Sequence, residues 1–150
     1  MVSLEILKKA ELFEGLSDDD LAAIAKHARL ETYEAGTRIF AEGEVAKDIY
    51  VVHEGRVAVM IGIGQGKQII VDTVSKGGTL AWSALVEPHI LTSSAKSVDK
   101  STLVAIPGED LDHICESNCR LCYTIMAKIA AVISRRLQNT RLQLLSLMYG

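Results

Sequence analysis

Apolar residues in the first part of the chain recur at helical spacing. Leu4, Leu7, Leu12 and Phe13 open this segment, and Leu21, Ile24, Ala25 and Ala28 make the apolar face of a second helix. Between the two, Ser17 or Asp18 can cap, and the acids Asp18, Asp19 and Asp20 suit the positive end of a helix dipole. From Arg29 to Pro107 the period falls to two. The segments 38–41, 49–52, 56–60, 68–71, 94–98 and 101–106 read as strands, several of them rich in β-branched residues. Gly36, Gly43, Gly55, Gly62, Gly64 and Gly66 punctuate them where tight turns and bulges need a positive φ. Strands at intervals of roughly 8–12 residues predict a closed roll or sandwich rather than a parallel sheet. Leu80–Val86 interrupts them as a short helix. Residues 108–150 return to the helical period, with Glu109–Cys115 first and then a long helix, capped by Ser117 or Asn118, that runs to about Leu147. The expected order is helices over 1–28, a β block over 29–107 with a short helix at 79–86, and helices over 108–150.

The last helix carries more apolar surface than one neighbour can cover. Tyr123, Met126, Ala130, Ile133, Leu137, Thr140, Leu144 and Leu147 step by three and four alternately, which is a heptad seam. Ile125, Ile129 and Val132 lie on a second face. A helix apolar on two faces packs on two things. The β block is one, and a second copy of the same helix is the expected other, because self-pairing of one patch is the commonest oligomer geometry. The expected interface runs over residues 119–147.

Composition narrows the function. The 150 residues fit one domain. With 49% hydrophobic and 23% charged residues, the chain is globular rather than disordered. Sixteen basic residues against nineteen acidic ones give a net charge of −3, which is no footprint for nucleic acid or an anionic membrane. No apolar run is long enough to span a bilayer. Three cysteines crowded into 115–122 cannot form a distributed disulfide framework, so a reducing cytoplasm is the expected compartment.

The β block carries a more specific frame: Gly36-Thr37-x-Ile39-Phe40-x-Glu42-Gly43, then Asp48-x-Tyr50, Gly55-x-Val57 and Gly77-x-x-Leu80. This frame resembles the cyclic nucleotide-binding domain family, as found in catabolite-activator and fumarate–nitrate-regulator type proteins. Arg135-Arg136-Leu137-Gln138-x-Thr140 in the last helix is similar to the dimer helix of catabolite activators. The resemblance covers essentially the whole chain. It implies a β-roll of the jelly-roll, double-stranded β-helix type with flanking helices, a long C-terminal dimerisation helix, and a ligand held by a phosphate-binding cassette.

In that family the cassette reads Phe-Gly-Glu-x-Ala-Leu and then, about eight residues on, Pro-Arg-Ser/Thr-Ala. Backbone N–H groups at a short helix meet the cyclic phosphate, the Glu accepts from the ribose 2′-hydroxyl, and the Arg pairs with the phosphate. Here the stretch is Leu80-Ala81-Trp82-Ser83-Ala84-Leu85, followed by Leu91-Thr92-Ser93-Ser94. Trp82 occupies the Glu position, Ala81 the Gly position and Thr92 the Arg position. This form resembles a variant branch of the family in which Trp-Ser-Ala-Leu replaces the acidic cassette. Leu80, Ala81, Trp82, Ser83, Thr92, Ser93 and Ser94 are the ligand-binding candidates, with Thr140, which matches the threonine that reaches the adenine in catabolite activators. Trp82 has two readings: an apolar plug in the nucleotide's place, or a platform stacked on a flat ligand.

Two other constellations have a chemical reading. Cys115-x3-Cys119-x2-Cys122 has the spacing of an iron–sulfur motif, set against ordinary packing of small, soft side chains at a helix start. His89, close to the cassette, is the haem candidate, set against a solvated loop histidine. No catalytic arrangement emerges from the spacing, no metal is expected and no cofactor is required. The expected function is therefore a non-enzymatic, homodimeric regulatory module whose effector is a cyclic nucleotide or another small molecule, with direct nucleic-acid and membrane binding unexpected. Effector binding under the short helix would bias the long helix through a joint near Ser117–Cys119. Two alternatives stand beside it: a ligand-free scaffold that dimerises or docks a protein partner, and the sensor fragment of a transcription regulator whose helix-turn-helix domain is missing.

Overall fold

The computed structural model describes residues 2–150. Its N-terminal part holds α1 (Leu4–Lys8), a 3-10 turn at Glu11–Phe13 and α2 (Asp18–Ala25). Ser17 caps α2: its hydroxyl accepts from the Asp20 N–H at 3.1 Å while the Asp20 carboxylate accepts from the Ser17 N–H at 3.4 Å. Leu7, Leu12, Phe13, Leu21, Ile24 and Ala25 are buried, in keeping with the apolar spacing of this segment.

Eight strands follow: β1 (Arg29–Tyr33), β2 (Arg38–Phe40), β3 (Asp48–Glu54), β4 (Val57–Gly64), β5 (Lys67–Val74), β6 (Thr79–Leu80), β7 (Ser94–Ser97) and β8 (Ser101–Pro107). They form two antiparallel four-stranded sheets, ordered β1-β8-β3-β6 and β2-β7-β4-β5. One core draws on both sheets, with Ile49, Val51, Leu103 and Ile106 from the first and Val57, Val59, Val71 and Ala95 from the second. Alternation breaks where the structure has a reason for it. In β3, paired with β8 and β6, Val51 and Val52 are buried in succession just ahead of a register shift between Val52 and Glu54. In β8, paired on both edges, Leu103–Ile106 are buried in succession.

Two strands are additional to those expected. None of β1's side chains is fully buried, so its sequence carries little apolar signal. β6 is only two residues long and occupies the start of the expected 79–86 helix. Ala81 then turns into the left-handed region at φ 61°, and what remains helical is a 3-10 turn, Trp82–Leu85. The short helix expected there is thus a strand end, a left-handed residue and one tight turn.

Two helices close the chain: α3 (Gly108–Ser117) and α4 (Cys119–Tyr149). Gly108 begins α3 directly against this turn, and a Cβ there would collide with the Ala84 carbonyl. Asn118 is the joint between the helices. Its side-chain oxygen accepts from the Leu121 N–H at 3.1 Å, and its amide donates to Asp20 at 3.0 Å, which ties the joint to α2. Leu121, Ile125, Ile129, Val132 and Arg136 make the buried stripe of α4, packed mainly on the N-terminal 3-10 turn and β5. No described helix is long and apolar enough to cross a membrane.

Candidate functional site

Between the 3-10 turn Trp82–Leu85 (the cassette turn), the β4–β5 pair and α4 lies a cavity of about 440 Å³. Its walls are built by chain segments far apart in sequence. Glu42 comes from the turn after β2, Ile61 and Gly62 from β4, and Val71 from β5. Trp82 comes from the cassette turn, Thr92 and Ser93 from the stretch before β7, and Ile133, Arg136, Leu137 and Thr140 from α4. An occupant of this space touches the cassette and the long helix at once.

Of the eight candidate ligand residues, four line the cavity: Trp82, Thr92, Ser93 and Thr140. Leu80, Ala81, Ser83 and Ser94 do not line it and are buried. Their work in the fold is supportive. Leu80 pairs with Tyr50 across β3 and β6, and Ala81 supplies the left-handed turn. The Ser83 carbonyl accepts from His89 Nδ1–H at 2.9 Å, and the Ser94 hydroxyl accepts from the Glu42 N–H at 2.9 Å. That last bond, with the Gly62 N–H donating to Glu42 Oε1 at 3.0 Å, fixes Glu42 at the cavity's rim.

Trp82 is half-buried and packs against the core. The space beside it stays open, as the cavity lined by Trp82 demonstrates. Thr140 donates its hydroxyl to the Arg136 carbonyl at 2.8 Å, so toward the cavity it offers an acceptor.

Arg136 was not among the sequence candidates. Its guanidinium is buried, with Nε donating to Asp72 Oδ2 at 3.1 Å and Nη2 donating to the Thr79 carbonyl at 3.2 Å. Burial pulls this guanidinium below its ordinary value, and the Asp72 carboxylate opposes that shift. The signal that finds Arg136 is positional: it lies four residues after Val132, on the same apolar face as Ile125 and Ile129, where a charge must have a partner. Its neighbour Arg135 faces elsewhere and donates to Glu11 at 3.0 Å.

The heptad seam lies apart from the buried stripe. Tyr123, Met126, Ala130, Leu137, Leu144 and Leu147 are exposed, and Ile133 and Thr140 are half-buried beside the cavity. Cys115 and Cys122 are half-buried and Cys119 is exposed, all as free thiols. Among the described residues no group of three or more His, Cys, Asp or Glu side chains is placed to hold a metal ion. His89 sits after the cassette turn and lines a separate groove of about 520 Å³ with Asp48, Glu109 and Asp112.

Comparison with known proteins bears on this geometry. The family model described as "Cyclic nucleotide-binding domain" matches residues 30–118. The chain is 23% identical over 145 residues to the CRP-like cAMP-activated global transcriptional regulator of Mycobacterium tuberculosis, covering 97% of this chain and 63% of that protein. The chain therefore spans less than two thirds of that relative's length. A solved structure from Geobacter metallireducens, assigned to the cyclic nucleotide-binding proteins, superposes with a TM-score of 0.80 at 28% identity over 91% of this chain and 99% of that one. The Thermus thermophilus catabolite activator protein superposes with a TM-score of 0.73 at 23% identity, over 91% of this chain and 62% of that one, which is a likeness of fold.

Proposed function

The chain belongs to the cyclic nucleotide-binding domain family, and we propose that it is a homodimeric, non-enzymatic sensor whose cavity takes a small effector and whose long helix reads it out. One observation carries this reading: cassette turn and α4 are walls of the same cavity. A ligand there contributes differential contacts to the position of α4, which is what a regulatory coupling requires. The rival reading, a scaffold that only dimerises, needs Trp82 to fill the nucleotide's place. The open space beside Trp82 favours the sensor.

The second copy is proposed to cover the seam. Tyr123, Leu144 and Leu147 are 76%, 42% and 54% exposed, too much apolar surface in one register to be left to water.

The effector differs from the family's usual one in this reading. By the resemblance, Trp82 stands where the ribose acceptor belongs and Thr92 where the phosphate-pairing Arg belongs. Each lost charge-assisted hydrogen bond weakens binding by about 1.5–3 kcal/mol. Together they lower affinity for cyclic AMP by roughly two to four orders of magnitude. Calorimetric titration of the chain with cyclic AMP and cyclic GMP tests this. Neither should saturate in the micromolar range, and micromolar binding of either would contradict the variant-cassette reading.

A further inference from the structure

Resting on the reading of this cavity as an effector site, we propose that it selects an uncharged, flat ligand bearing one hydrogen-bond acceptor and one donor, and that it rejects anions.

The charges facing the cavity decide the class. Two charged side chains line it, Glu42 and Arg136. Arg136 would be the natural receptor for a phosphate or carboxylate, but its charge is already matched by Asp72 at 3.1 Å from β5. The next cation on the helix, Arg135, is committed to Glu11. An entering anion therefore meets a neutralised ion pair and the uncompensated carboxylate of Glu42. Glu42 is exposed at the rim, so solvent screens part of that repulsion, but the walls of Ile61, Val71, Trp82, Ile133 and Leu137 offer an anion no compensating charge.

An uncharged ligand meets the opposite situation. Asp72 and the Thr79 carbonyl take two of the five N–H donors of Arg136, and the remainder can serve a neutral acceptor. Glu42 accepts only, so it calls for a donor on the ligand, and the Gly62 N–H already orients one of its oxygens. Thr92 and Ser93 add neutral hydroxyls that serve either role, while Trp82 offers a face for stacking. Asp72 is thus the residue that sets the charge selectivity: it converts a phosphate receptor into half of a neutral dipole.

The test uses the chain's single tryptophan, which gives one indole N–H signal in a proton–nitrogen correlation spectrum. The full chain is titrated to millimolar concentrations with 4-methylbenzamide, with its anionic twin 4-methylbenzoate, and with cyclic AMP. The amide should move the Trp82 signal saturably and bind at least about tenfold tighter than the other two. The variant Asp72→Asn, which releases Arg136, should raise affinity for 4-methylbenzoate at least about tenfold. Glu42→Gln removes the rim charge at an exposed position while keeping an amide oxygen for the Gly62 N–H, and should shift the preference in the same direction, which keeps the test open if Asp72→Asn does not fold. If 4-methylbenzoate or cyclic AMP binds the natural chain as tightly as the amide, the neutral class is overturned while the effector cavity stands. If no probe moves the Trp82 signal, the cavity reading itself fails. Unchanged charge preference in both variants overturns the role given to Asp72 and Glu42.

Discussion

Arg136 shows how one side chain can belong to fold and site together. Its stem continues the apolar stripe of α4, and its head closes the contact between that helix and both β5 and β6. A buried guanidinium survives only because Asp72 and a backbone carbonyl meet it, and taking either ionic partner away leaves the other stranded. The cysteines show residue-scale chemistry of a different kind. Burial pushes the Cys115 thiol up to about 12, aided by hydrogen bonding with Cys122. At pH 8 Cys115 is consequently held in its unreactive protonated form, and its thiolate appears only as the pH rises far above that. Cys119 is exposed at the first turn of α4. Iodoacetamide at pH 8, followed by peptide mass mapping, should modify Cys119 at least about tenfold faster than Cys115. Equal rates would show that the Cys115 environment is open.

At the scale of elements, two contacts govern the behaviour of the site and the interface. The first is the approach of α3 to the cassette turn. Gly108 stands so close to the Ala84 carbonyl that a methyl group has no room, and backbone on both sides limits relief. Gly108→Ala should cost about 1–3 kcal/mol in urea unfolding, as overpacking does. It should also broaden the Trp82 indole signal, since Trp82 begins the same turn. A variant as stable as the natural chain would mean the turn yields freely, and that it is not held by α3. The second is the seam of α4. Replacing Leu144 and Leu147, which are exposed and away from the cavity, by Asp should convert a dimer to a monomer in sedimentation equilibrium without lowering the helix content by circular dichroism. A natural chain that already sediments as a monomer would rule out the second copy as the cover of this seam.

At the scale of the whole molecule, the alternation of apolar residues and the spacing of the glycines make the roll legible in the chain itself. The buried face Ile125, Ile129, Val132 and the exposed face Tyr123, Leu144, Leu147 are separable from spacing alone, because a helix sorts its faces by period. Less is legible where local pattern is weak. β1 carries no fully buried side chain, and the Thr79–Val86 stretch changes conformation at nearly every residue, so neither has a period to read. The site is half legible. Trp82, Thr92, Ser93 and Thr140 line one cavity, whereas Glu42 and Arg136 meet there, and Asp72 meets Arg136 beside it, only through tertiary contacts involving β4, β5 and α4. Position within the frame identifies the cassette, but charge balance in the cavity depends on what lies behind it.

The central claim is that the cavity's occupant is felt by the long helix. Hydrogen–deuterium exchange of the full chain, with and without saturating 4-methylbenzamide, addresses it directly. Bound ligand should slow exchange severalfold in the peptide spanning Ile133–Thr140, where α4 lines the cavity, and leave α1 unchanged. Saturation of the Trp82 signal with no change of exchange anywhere in α4 would contradict it.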